Sequence, residues 1–317
     1  MKLKVILALV ALGLVAAVLF FLLKPEKMPT AISGKLDIYR DFESKYVSKR
    51  TVAVWLPDGY RQGMPCNVLY MHDGQNLFDA TTTWNGQEWG IDETLQPLID
   101  GHTLPMTIVV GVWSIDDDRY YDYFPQKITD YVKGDAQRKV DSEKITADRY
   151  LKFLTEELKP FIDGKYHPAT DPEHTFIAGS SMGGLISLYA LCEYPDVYGG
   201  AACLSTHVTL TPDIEDVEGN KPWGEAFRTY LDKKLPAPDT HKVYMDRGTE
   251  TLDAFYADEQ TRLDTLFADK GWTPKSFVSR VIEGAEHCER DWAPRVASFA
   301  KFLLLTPDNA TPEETTP

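Results

Sequence analysis

Two hydrophobic periods take turns along the chain. Residues 49–56 (KRTVAVWL) alternate apolar and polar positions and are rich in β-branched side chains, so they predict a strand. Residues 36–42 can pair with it as a hairpin. Residues 67–72, 106–113, 175–178 and 201–204 are continuous apolar runs, and 241–245 and 277–282 complete the set of strands. Runs without alternation belong to strands buried on both faces, as in a parallel sheet. Between them the period lengthens. Tyr150, Leu151, Leu154, Leu158 and Phe161 fall at helical spacing within 148–162. Residues 185–194 are apolar almost all round, and 255–270 and 292–304 also show helical period. Strands alternating with helices predict a mainly parallel α/β sheet covered on both faces. No internal repeat and no Gly/Ser linker divides it, so one domain is expected over residues 31–305.

Two stretches fit neither period. Residues 120–145 are rich in Tyr, Asp and Lys, and 206–222 gather Pro, Asp, Glu, Gly and Asn. In an α/β sheet such insertions follow strand ends, where sites lie.

The ends of the chain differ from its middle. Residues 5–23 (VILALVALGLVAAVLFFLL) are uncharged, preceded by Lys2 and Lys4. Nineteen residues come near the roughly 20 that cross a bilayer as a helix. The run is longer than the apolar region of a cleaved signal, and no small-residue cleavage site follows it at once. Residues 1–30 are therefore read as an uncleaved anchor ahead of a cleaved signal. With the basic tip on the cytoplasmic side, the domain is exported to a periplasmic or cell-surface location. Residues 306–317, rich in Pro, Thr and Glu, read as a disordered tail.

Overall composition is ordinary for a globular protein, but the charge is not. The net charge of the 317 residues is −15. Lys2, Lys4, Lys24 and Lys27 against Glu26 give the first 30 residues +3, which leaves −18 for the rest. Such a surface repels phosphate backbones, so nucleic-acid binding is not expected. Cys66, Cys192, Cys203 and Cys288 match no zinc or CxxC spacing. Export would permit pairing, but Cys192 and Cys203 read better as small buried hydrophobes. No HExxH, EF-hand or histidine cluster is present, and neither metal nor cofactor is expected.

The strongest chemical signal is Gly179-Ser180-Ser181-Met182-Gly183-Gly184, a G-x-S-x-G centred on Ser181. It follows a predicted strand and precedes a predicted helix, the setting of a nucleophile elbow. Glycines flank the serine because the turn is too tight for a Cβ, and the helix start aims free N–H groups at a reacting carbonyl. In that architecture the acid and then the base follow the nucleophile. Of seven histidines only His207, His241 and His287 come after Ser181. His241 opens a strand and sits at the wrong end of the sheet. His207 could line the pocket. His287, between the last strand and the last helix, is the expected base. The acid falls among Asp246, Glu250 and Asp253, with Asp253 preferred and Asp246 close enough to its strand to be packed or paired with Arg247.

Several segments together resemble the putative-esterase family of α/β-hydrolases. They are residues 69–79 (LYMHDGQNLFD), 89–92 (WGID), 119–125 (RYYDYFP), the GSSMGG elbow, and 286–292 (EHCERDW). The family includes feruloyl, enterochelin-type and S-formylglutathione esterases and mycolyltransferases, and the resemblance spans about residues 34–304. It implies an α/β-hydrolase fold and an oxyanion hole made by the backbone N–H groups of Gln75 and Met182. It also implies that Arg119 and Tyr123 border the pocket, with Asp122 where the family has glutamate. The Gly-Thr-x-x-x-Asp spacing ending at Asp253 looks like one branch of the family.

The reaction expected from these residues is hydrolysis of a small-molecule or glycan-linked carboxylic ester through an acyl-enzyme. Transfer of the acyl group to an alcohol on the same triad is the enzymatic alternative. A non-catalytic envelope binding module is the alternative from another class. Trp84, Trp89, Trp113, Trp223 and Trp292 are candidates for an aryl or sugar platform, although most are expected to be packing residues.

Overall fold

Backbone pairing joins all the predicted strands into one sheet. The computed structural model describes residues 27–305, so the proposed anchor helix and the tail lie outside the described residues. The eight strands are β1 (Lys35–Phe42), β2 (Arg50–Leu56), β3 (Asn67–His72), β4 (Thr107–Val112), β5 (Thr175–Ser180), β6 (Gly200–Leu204), β7 (Lys242–Gly248) and β8 (Phe277–Ile282). Their order across the sheet is β1-β2-β4-β3-β5-β6-β7-β8. β1 and β2 form the expected hairpin, β2 meets β4 antiparallel, and every later pairing is parallel.

The unbroken apolar runs are explained by burial on both sides. β2, expected to alternate, is buried on both faces as well: Val52 and Val54 face one layer while Ala53 and Trp55 face the other. β3 does the same with Val68 and Tyr70 against Leu69 and Met71. One layer is closed by α1 (Ile91–Asp100) and α9 (Val296–Leu304), through Leu95, Ile99, Phe299 and Leu303. The opposite layer is thicker. It contains α2 (Asp116–Tyr123), α3 (Ala147–Lys152), α4 (Lys159–Tyr166), α5 (Met182–Glu193), α6 (Val217–Lys234) and α7 (Ala257–Asp269). A short α8 (Glu289–Trp292) precedes α9.

The helix predicted over 148–162 is α3 and α4 joined by a π-turn at Phe153–Leu158. Pro160, in the first turn of α4, has no N–H for the carbonyl four residues back, which removes one α-helical bond from that junction. The irregular stretches are only partly irregular. Residues 120–145 begin in α2 and continue as short 3-10 turns, and the second stretch runs into the 18-residue α6. Periodicity hid α6 because Pro222 and seven charged residues break up its apolar pattern.

Asp122 shows what that insertion does. It is buried and pairs with Arg50 Nη2 at 2.9 Å, itself buried, and accepts from Thr146 Oγ1 at 2.7 Å. The pair ties the insertion to β2. Removing one partner leaves an uncompensated buried charge, a loss of roughly 3–5 kcal/mol. Asp122→Ala is therefore expected to lower unfolding stability by about that amount, read as a shift in the urea midpoint at unchanged slope.

All four cysteines are free, and Cys66, Cys192 and Cys203 are buried. Burial raises the thiols well above their ordinary value, that of Cys66 to about 12, so they pack as hydrophobes.

Candidate active site

The parallel strands all end on one edge of the sheet, and the candidate residues emerge there. Asp73 to Asn76 follow β3, Ser114 follows β4, Ser181 follows β5, Ser205 follows β6, Asp253 follows β7 and His287 follows β8. This edge is where open α/β sheets carry their sites.

Ser181 occupies the step between β5 and α5 with φ 57° and ψ −123°. A non-glycine residue there is strained, and the surroundings hold it: its amide donates to Leu204 O (2.9 Å) and its carbonyl accepts from the amides of Leu185 and His207 (both 3.1 Å). The sharp turn brings Gly179 against Gly183, where a Cβ on Gly179 would lie 2.8 Å from a backbone carbon. Met182 begins α5, so its amide is among those a helix leaves without an internal carbonyl.

Asp253 and His287 meet. Nδ1 of His287 lies 2.5 Å from Oδ1 of Asp253. Asp253 is fully buried on the short turn Thr251–Tyr256, and its other oxygen accepts from Ser205 Oγ at 2.5 Å and from the Gly248 amide. Burial would raise this carboxyl. The bonds from His287, Ser205 and Gly248 outweigh burial and hold it below its ordinary value. The His287 ring is steadied edge-on by Trp292 and Tyr256, with centroids 5.0 and 5.9 Å away, and its amide donates to Thr251 Oγ1 at 2.9 Å.

The other acid candidates separate by position. Glu250 is exposed. Asp246 is fully buried but pairs with Arg295 Nη1 at 2.9 Å, not with Arg247, and burial outweighs that partner to push its carboxyl up to about 6.

Ser205 is the residue that sequence reasoning missed. Its hydroxyl bonds Asp253, Trp292 Nε1 (2.9 Å) and Arg295 Nη1 (3.2 Å), so the acid is held from behind. A lone serine after a strand carries no pattern that would mark it.

Gln75 sits in the single 3-10 turn Gly74–Asn76 after β3. Its side chain is tied to Ser114, with Nε2–Oγ at 2.7 Å and the Ser114 amide 3.2 Å from Oε1. Gly74 allows the turn to rest on β4, since a Cβ there would meet Gly111 backbone at 2.4 Å. Arg119 forms a two-pronged bond to Asp73, both contacts 2.8 Å, and these bonds hold the buried Asp73 carboxyl low despite its burial.

Ser181, His287, Gln75 and Arg119 line one cleft of about 480 Å³. Asn76, Asn85, Gln87, Asp116, Cys288 and Glu289 also contribute to its wall. Glu289 is buried and accepts from Asn76 Nδ2 (3.0 Å) and Asn85 Nδ2 (2.8 Å).

Two residues expected at the pocket are elsewhere. Tyr123 is fully buried beneath Arg119, its hydroxyl accepting from the Asp73 amide at 3.3 Å. Its ring supports the Arg119–Asp73 pair and does not reach the cleft. His207 is buried with both ring nitrogens engaged, Nδ1 with the Tyr256 hydroxyl (3.0 Å) and Nε2 with Thr211 O (3.0 Å). Burial pushes it down to about 4, so it packs as a neutral imidazole behind His287 and Asp253. Of the tryptophans, Trp223 is in the core against Phe124, Trp89 and Trp292 pack together in the cleft wall, and Trp84 stands exposed at the rim.

Comparison with known proteins finds relatives along most of the domain. Residues 44–301 match the family model described as "Putative esterase". The uncharacterized protein YbbA of Bacillus subtilis is 22% identical over 263 residues, covering 80% of this chain and 92% of that protein. The siderophore enterobactin esterase of Emericella nidulans is 30% identical over 161 residues, covering 47% of this chain and 49% of that one, about half its length. Among solved structures, the feruloyl esterase module of Clostridium thermocellum complexed with sinapinate has a TM-score of 0.58 at 17% identity, with 87% of this chain and 90% of that chain covered.

Proposed function

The chain belongs to the esterase family, as a serine carboxylic ester hydrolase of α/β-hydrolase fold, and on that premise we propose that Ser181, His287 and Asp253 are its catalytic triad. The observation that carries the assignment is the 2.5 Å bond between His287 and Asp253 in a cleft that Ser181 also lines.

In this reading Ser181 Oγ attacks the ester carbonyl and His287 Nε2 takes its proton. Asp253 holds the proton on Nδ1 and stabilises the imidazolium. The oxyanion rests on the amides of Gln75 and Met182, each worth roughly 10²–10³ in rate. His287 returns the proton to the leaving alcohol, which departs as the acyl-enzyme forms. A water then attacks the acyl carbon, loses its proton to His287, and frees the acid and Ser181. General-base assistance contributes roughly 10²–10⁴.

The substrate class proposed is an aryl-acid ester. The cleft offers the Trp89–Trp292 wall and Trp84 at its rim as flat apolar surface, with Arg119 and two amides as polar contacts. A feruloyl esterase module complexed with sinapinate, an aryl acid, is among the similar structures. The domain is proposed to act outside the cytoplasm, anchored by residues 5–23.

A fluorophosphonate probe tests the nucleophile directly. Labelling of Ser181, mapped by peptide mass and abolished in Ser181→Ala, is the expected result. An unlabelled Ser181 in folded protein would return the chain to the binding-module reading.

A further inference from the structure

The chain enters the domain beside the mouth of the cleft. Lys27 reaches Thr81 and lies 3.9 Å from Asp79, and Thr30 donates to Asp79 Oδ2 through its amide and hydroxyl, both at 3.1 Å. The amides of Ile32 and Ser33 then donate to Asp92 Oδ2 at 2.6 and 3.0 Å. Residues 27–33 are thereby fastened along residues 79–92. The loop between these fastenings, 80–87, supplies Trp84, Asn85 and Gln87 to the cleft wall.

This pole has an unusual surface. Among the described residues the two most exposed large apolar side chains are Trp84 at 86% and Ile32 at 79%, and the next, Val217, is at 50%. Ile32 belongs to the entry stretch, and Trp84 to the loop beside which that stretch is fastened. Loop 80–87 (ATTTWNGQ) carries no charge in a chain of which 26% is charged. A lone tryptophan on an uncharged loop suits the headgroup layer of a membrane, where its ring is apolar and its N–H finds a partner.

Chain length brings a membrane to this place. The apolar run ends at Leu23, four residues before Lys27. At 3.8 Å per residue the two Cα atoms are at most about 15 Å apart. Residues 27–33 are bonded to the domain, so such a tether sets orientation as well as distance.

We propose that the pole formed by Ile32 and loop 80–87 docks on the lipid bilayer, with Trp84 in the headgroup layer and the cleft mouth opening at the membrane surface. This rests on reading residues 5–23 as a membrane anchor. The occupant is lipid because the anchor itself places a bilayer within reach of this surface. Esters held at the membrane surface then reach Ser181 past Trp84.

The test uses the full chain in phosphatidylcholine vesicles, with and without bromine on the lipid acyl chains. Residues 1–30 contain no tryptophan, so the anchor contributes no signal. Brominated lipid is expected to quench tryptophan emission of the wild type and to leave Trp84→Phe nearly unquenched. Ile32→Asp, which puts a charge on the same pole, is expected to reduce the quenching while Trp84 is retained. Vesicle flotation is read on the same samples. A chain that fails to float overturns the anchor, and this inference with it. A chain that floats, with quenching absent or equal in wild type and Trp84→Phe, leaves the anchor standing and overturns the docking alone.

Discussion

Ser181→Ala is expected to lower kcat/KM for p-nitrophenyl acetate by at least about a thousandfold, and His287→Ala by a comparable factor. The two should not add. Attack needs the hydroxyl and its base together, so a protein lacking either has lost the same step, and the double variant should resemble the singles. Activity that remains then reports oxyanion stabilisation and binding alone. The Ser181 backbone is already committed to φ 57° by the elbow, and the serine hydroxyl is not part of that scaffold. Ser181→Ala should therefore unfold at close to the wild-type urea concentration, which separates lost chemistry from lost fold. Retained activity in Ser181→Ala would remove the triad assignment.

Asp253→Asn is expected to cost about four orders of magnitude in kcat. Asp253 accepts hydrogen bonds on both oxygens: from His287 Nδ1 on one, and from Ser205 and the Gly248 amide on the other. An amide can satisfy only one side. If its NH₂ faces His287, the imidazole must keep its proton on Nε2 and cannot accept one from Ser181. If its NH₂ faces Gly248, two donors confront each other in a buried site. Glu250→Gln changes an exposed side chain with no bond to His287 among the described residues, and near-wild-type turnover is expected. Equal losses in the two variants, measured with the same ester, would show that the 2.5 Å contact does not define the acid.

Much of this is legible in the sequence. The apolar runs located the central strands to within a few residues, because a strand buried on both faces has to be apolar throughout, and the alternation of 49–56 marked the hairpin ahead of them. The elbow was readable because a strand, a turn that tolerates no Cβ and a helix follow one another in sequence. Chain order narrowed the base to three histidines, and the gap between the last strand and last helix pointed to His287. The resemblance drew attention to Gln75 and Arg119, and both line the cleft.

Tyr123 and His207 show where that reading stopped. Each sits in a segment that approaches the site, yet the side chain turns inward, toward the Asp73 amide in one case and toward Tyr256 and Thr211 in the other. Segment position says which strand end a residue follows. It does not say which way its rotamer points once neighbouring layers are packed.

The sequence by itself determined the strand–helix alternation, the elbow motif that offers the candidate nucleophile, the chain order of the proposed triad and the apolar run ahead of the domain, since these depend on local period and on residues adjacent in the chain. Only the tertiary structure shows which of Asp246, Glu250 and Asp253 meets His287. The three lie within eight residues and all are acidic, but one is turned to Arg295, one to solvent and one to His287. The same holds for Ser205, which meets Asp253 across 48 residues and Trp292 across 87. The physical reason is that a hydrogen bond is set by distance and direction in space, and the packing of two helical layers on a twisted sheet fixes both without leaving a repeating mark in the chain.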